Sequence, residues 1–190
     1  MTARQLLTLV VGVEAMLVLV ASLWMWLRDI PVSLGAGSWL GDALKGAVVA
    51  GGLAAVNFYL IYCAPELPGV RAVRRLYRDT LKPLFGTVGR REVLVISVAA
   101  GIGEELLFRG VLQPEVGLVP ASLIFGVLHM GGSGTFAFSC WVTVMGGVLG
   151  WLALWTEGLL APIIAHTVYD AATLAYMRWG DECPVAEEPS

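Results

Sequence analysis

Charge is scarce in these 190 residues. Asp, Glu, Lys and Arg make up 14% of the chain, against 57% hydrophobic residues. A soluble domain carries roughly a quarter charged residues and under half apolar ones. That comparison excludes an ordinary water-soluble globule, and a disordered or collagen-like chain with it. Cysteine occurs only at Cys63, Cys140 and Cys183. The odd number and wide spacing argue against a disulfide framework or a zinc ribbon. Histidine occurs twice, at His129 and His166. No basic, aromatic-rich face stands outside the apolar runs, so nucleic acid is not expected as a partner. There is no internal repeat and no soluble domain.

What the chain does have is long apolar runs, which read as membrane helices. The predicted fold is all-α, a polytopic membrane bundle of about six spans. The whole of 1–190 reads as a single integral-membrane domain. Two accessory helices cover 5–27 and 43–65. Glu14 interrupts the first, and Trp24 and Trp26 form an interface belt at its end. Its apolar stretch exceeds the roughly 7–15 residues of a signal-peptide core. A basic loop, 66–91, follows with seven of the twelve Lys and Arg residues: Arg71, Arg74, Arg75, Arg78, Lys82, Arg90 and Arg91. Such loops stay in the cytoplasm, and this one has room for an amphipathic helix on anionic lipid.

The predicted core is 92–178, with a span at about 92–113. From Val116 to Thr156, 41 residues contain no Asp, Glu, Lys or Arg. That is too long for one helix across a ~30 Å hydrocarbon layer. The cluster Gly131-Gly132-Ser133-Gly134 divides it into a short fourth span and a full fifth. The sixth covers about 158–179, and 179–190 is a polar, acidic tail. With the basic loop inside, both termini fall in the cytoplasm, and Arg4 and Arg178 agree. A prokaryotic cytoplasmic membrane is the expected location. Gly46, Gly51, Gly52, Gly146, Gly147 and Gly150 suit close helix packing in lipid.

Ionisable groups inside a span cost about 2.5–3.5 kcal/mol each on insertion scales and mark function by default. Glu104, Glu105 and Arg109 share one span. Successive helical residues turn about 100°, so Glu105 and Arg109, at i,i+4, lie on one face and pair. Glu104 lies about 140° away from Arg109 and lacks that partner. His166 and Asp170 are also i,i+4, a spacing at which a carboxylate holds one ring nitrogen and fixes the tautomer. Phe125 and His129 share a face, so the ring walls the imidazole. Glu104 sits about 18 Å from the cytoplasmic end at 1.5 Å per residue. His166 is expected at a similar depth, and His129 nearer that end.

Glu104-Glu105-Leu106-Leu107-Phe108-Arg109, Phe125-Gly126-Val127-Leu128-His129 and His166-Thr167-Val168-Tyr169-Asp170 resemble the EExxxR, FxxxH and HxxxN/D motifs of the CAAX-protease and bacteriocin-processing (CPBP) family. These are glutamic-type intramembrane proteases. The resemblance implies hydrolysis of a peptide bond near the C-terminus of a membrane-delivered protein substrate. It implies Glu104 as the activating base, with His129 and His166 polarising water or binding the oxyanion. Glu105, Arg109, Phe125 and Asp170 are implied as supports. Asp170 stands where an amide is common in the family. An ionised carboxylate cannot donate to an oxyanion, which favours an orienting role. The expected cofactor is none.

Other readings stay open at this stage. Glu104, His129 and His166 form a credible ligand set for a divalent metal such as zinc. Gly131-Gly132-Ser133-Gly134 fits the rhomboid GxSG pattern, with Ser133 and His166 as a serine–histidine dyad. That reading leaves Glu104, Glu105, His129 and Arg109 without a role. A non-catalytic membrane binding or immunity protein is the reading from another class. The chain's last four residues, Glu187-Glu188-Pro189-Ser190, are not a CAAX box.

Overall fold

The computed structural model describes residues 2–180, apart from the side chain of Ser133. Cys183 and the acidic tail lie outside the described residues. Among these, every regular element is helical: α1 (Ala3–Arg28), α2 (Trp39–Tyr62), α3 (Pro68–Leu76), α4 (Lys82–Phe85), α5 (Arg90–Leu107), α6 (Gln113–Val116), α7 (Leu118–Leu128), α8 (Phe136–Thr156) and α9 (Leu160–Trp179). Two wider π turns, Tyr77–Leu81 and Phe108–Leu112, join α3 to α4 and α5 to α6 without a break. The nine segments therefore make seven rods.

Local chemistry sets the boundaries. Thr2 and Gln5 form a reciprocal capping box at the start of α1, at 2.9 and 3.2 Å. Ser38 accepts from the Gly41 amide at 3.1 Å and starts α2. That start lies four residues before the expected 43, because Asp42 is tolerated in the first turn, paired with Lys45 at 2.9 Å. Pro68 opens α3, where its missing amide costs nothing. The basic loop is thus helical over most of its length. The Glu92 carboxylate accepts from the Gly89 amide at 3.1 Å at the start of α5. Gly117, at φ 89°, turns the chain from α6 into α7.

Six rods alternate between two ends of the bundle. At one end, Leu6, Ile61, Tyr77, Val88, Val93, Leu174 and Met177 share an apolar cluster. At the other, the loop after α1 is tied to the α8–α9 turn. Ala36 donates to the Thr156 carbonyl, Leu159 to that of Ser33 and Leu160 to that of Leu34, each at 3.0 Å. Arg28 pairs with Glu115 at that same end, at 3.0 Å. The α3–α4 rod lies across the first end, beside the Gly131–Thr135 turn. There Arg78 donates to Asp79 at 2.7 Å and holds its carboxyl below the usual carboxylate range.

Three helices, α1, α2 and α8, are long and apolar enough to cross a membrane. The count of six rests on alternation alone for the other three. α5 carries the charged cluster, α7 has only 11 residues, and α9 is less apolar. Leu9, Leu19, Leu23 and Trp26 on α1 are exposed, the outward apolar face that lipid requires. Of the expected packing glycines, Gly46 lies against the Ala161 carbonyl and Ile164, Gly146 against Phe125, and Gly150 against Gln113 and Leu118. Gly51 and Gly52 face open space, and Gly147 has only ordinary contact at 3.9 Å. Those three correct the expectation: they lie on α2 and α8 faces that no neighbour approaches closely.

Candidate active site

The third expected span is α5 together with its π turn. Glu105 points into the bundle and is fully buried. Its Oε1 accepts from Arg109 Nη1 at 2.8 Å and faces His166 Nδ1 at 2.7 Å. Arg109 donates a second bond, from Nη2 to the Gly146 carbonyl of α8 at 3.0 Å. Its guanidinium lies over the Phe125 ring, 4.6 Å from the centroid, where the negative ring face attracts it. Gln113, one turn on, repeats the tie with a bond to the Gly150 carbonyl at 2.9 Å.

Glu104 is turned to the other side and makes no such pair. Its Oε1 lies 3.8 Å from His129 Nε2, and its Oε2 lies 3.7 Å from His166 Nε2. These separations exceed a hydrogen bond; the three groups converge on a common space. Asp170 Oδ2 reaches the same His166 Nε2 at 3.6 Å. Side-chain exposures of 16% for Glu104, 32% for His129 and 25% for Asp170 show these three partly open, whereas Glu105 and His166 are sealed.

Each imidazole is fixed from behind. His129 caps the end of α7, and its Nδ1 meets the Phe125 carbonyl one turn back at 2.8 Å. That carbonyl only accepts, so Nδ1 carries the proton and Nε2 faces Glu104. His166 is fixed by Glu105 in the same way. Asp170, expected to hold one ring nitrogen of His166, faces Nε2 at 3.6 Å, while Glu105 holds Nδ1. Phe125, buried, stands 4.7 Å from the His129 ring and 6.1 Å from that of His166.

Glu104, His129, His166 and Asp170 line one cavity of about 360 Å3, otherwise walled by apolar groups such as Phe138, Val142, Met145 and Tyr169. Trp141 donates to the Tyr169 hydroxyl at 2.9 Å and holds that wall. Among the described residues, no three of His, Cys, Asp and Glu stand together as a metal-ligating group. Ser133 belongs to the short turn Ser133–Thr135 between α7 and α8. Both nitrogens of His166 already face carboxylates.

Residues 91–172 match the family of type II CAAX prenyl endopeptidase Rce1-like proteins. Over this stretch the chain is similar to that family. The stretch holds all seven motif residues, and it leaves α1, α2 and α3–α4 outside. An uncharacterized protein, YpbD, from Bacillus subtilis (strain 168), is 34% identical over 98 residues, 52% of this chain and 52% of the relative. The chain therefore spans about half the length of that curated relative. No solved structure matches.

Sequence reasoning left Glu14 without a place. It is buried on α1 against Gly103 of the matched stretch. A Cβ on that glycine would lie 3.0 Å from the Glu14 carbonyl oxygen and 3.2 Å from its Cβ. The glycine beside Glu104 was the available clue. The cavity's far wall, built by α2 and α3–α4, had only the amphipathic pattern of 68–85 to announce it.

Proposed function

We propose that this protein is an intramembrane endopeptidase in which Glu104 activates the attacking water. The observation that carries this is the convergence of Glu104 with the Nε2 atoms of His129 and His166 inside one apolar cavity. Glu104 takes a proton from water, and the oxygen attacks the carbonyl carbon of the scissile bond. The negative charge moves to the carbonyl oxygen, where an Nε2–H of His129 or His166 in its imidazolium form donates to it. Collapse of the intermediate breaks the C–N bond, and Glu104 returns the proton to the leaving amine. Glu105 supports His166 in both its forms, since Nδ1–H persists in each.

The substrate is a membrane-delivered protein cut near its C-terminus, in the membrane of a prokaryotic cell. We favour chemistry without a metal cofactor. A divalent ion such as zinc on Glu104, His129 and His166 is the competing version. Cleavage of a co-expressed, epitope-tagged membrane substrate by the wild type and by Glu104→Gln, both shown to be folded in detergent, tests the reading. The variant is expected to lose cleavage by about 10²–10⁴-fold, the range for a general base. Equal cleavage by both sinks the glutamate mechanism and brings Ser133 forward. In a strong chelator the wild type is expected to keep full activity. Loss that zinc restores establishes the metal version.

A further inference from the structure

The cavity that holds the catalytic groups has a second wall, from outside the matched stretch. Opposite Glu104 and the histidines stand Val73, Tyr77, Leu81, Leu84 and Phe85 of the α3–α4 rod. A helix that merely anchored the chain to lipid would turn its apolar face to the acyl chains. Here that face is turned on the active-site groups, and Arg71, Arg75 and Arg78 occupy the exposed side. Tyr77, Leu81 and Leu84 stand at i, i+4 and i+7, on one helical face, and with Phe85 they line the same cavity.

The rod is anchored on both sides of these residues. Arg74 is buried, pairs with Glu66 and donates to the Ala64 carbonyl at 2.7 Å. The Tyr77 hydroxyl meets that of Tyr62 at 3.0 Å. At the far end Val88 is buried, and its carbonyl accepts from Arg178 at 3.2 Å. Between these anchors Leu81, Leu84 and Phe85 stay only half-buried and line the cavity. About 360 Å3 is at the small end of ligand sites and suits a few side chains of an extended peptide.

We propose that Leu81, Leu84 and Phe85 form the specificity wall of the active site, selecting a bulky apolar side chain beside the bond held at Glu104. The proposal rests on the endopeptidase reading and adds determinants that the matched stretch does not contain. A one-methylene difference in an apolar pocket changes kcat/KM by about 10–200-fold, so this wall is enough to rank substrates by size.

The test uses the full chain in detergent micelles and a library of membrane-tethered peptides. Neighbouring positions are randomised and one is varied among Ala, Leu, Phe and Trp. The double variant Leu81→Ala/Phe85→Ala is expected to shift the kcat/KM preference toward Trp by about tenfold or more. Leu84→Trp is expected to shift preference toward Ala, Leu81→Ile to keep the wild-type ranking, and Arg78→Gln, on the outer side, to leave it unmoved. Melting in detergent confirms that each variant is folded. Cleavage that depends on Glu104 but keeps the same ranking in every wall variant overturns the specificity wall alone. Cleavage unchanged by Glu104→Gln, or no member cleaved by the wild type, overturns the endopeptidase reading and the wall with it.

Discussion

Arg109 shows how one buried cation is made tolerable at membrane depth. Two of its nitrogens are satisfied, by a carboxylate on its own rod and a carbonyl on α8, and its flat face rests on Phe125. Lysine keeps the charge but cannot reproduce the planar fork. Arg109→Leu, which strands the Glu105 carboxylate, is expected to cost about 3–5 kcal/mol, and Arg109→Lys a part of that. Unfolding of the detergent-solubilised protein measures both. Asp170 makes a different kind of prediction. It reaches His166 Nε2 without bonding it, so Asp170→Asn is expected to keep activity within about tenfold, as an amide fills the same volume and adds a donor. A larger loss, measured as kcat on any cleaved substrate, shows that the carboxylate charge itself is required. The Glu105–Arg109 pair was legible in the sequence because both ends lie one helical turn apart. The Glu105–His166 bond was not, since it joins residues 61 positions apart and no local period announces it.

At the level of elements, the approach of α8 to its neighbours depends on missing side chains. A Cβ on Gly146 would lie 3.0 Å from the Phe125 ring and 3.5 Å from Arg109 Nη2. Gly146→Ala is therefore expected to destabilise by about 1–3 kcal/mol through overpacking, and to weaken catalysis by displacing Phe125 and the histidine it walls. Gly51→Ala, at a site with nothing within 4 Å, is expected to be neutral or to gain up to about 1 kcal/mol from helix propensity. Equal melting temperatures for the two variants count against this account of the packing. The sequence reading placed both glycines in one class, because composition shows that a residue is small and not what approaches it. The π turns were equally hidden: they follow from tertiary packing, and an α-helical wheel passes smoothly through them.

For the whole molecule, the alternating rods bring residue 2 and residue 180 to the same end, with the basic α3–α4 rod beside them. The apolar runs announced the alternation, and the basic loop predicts the orientation. The sequence left open that three of the rods would be too short or too polar to qualify as spans alone. Reporter fusions at Gly86 and after Gly180 are expected to read as cytoplasmic, and an insertion at Gly37 as external. Opposite signals from Gly86 and Gly180 mean that one rod fails to cross.

The chain's two histidines are held in unlike ways. His129 is bonded to a carbonyl of its own helix, four residues back, while His166 is bonded to a carboxylate on another. With no other imidazole in the sequence, nitrogen-15 labelling of histidine yields two ring signatures that need no assignment by mutation. One follows the integrity of a single helix and the other the docking of α9 on α5. Mild loosening in detergent should therefore blur the second spectrum before the first, giving the protein its own internal gauge of assembly.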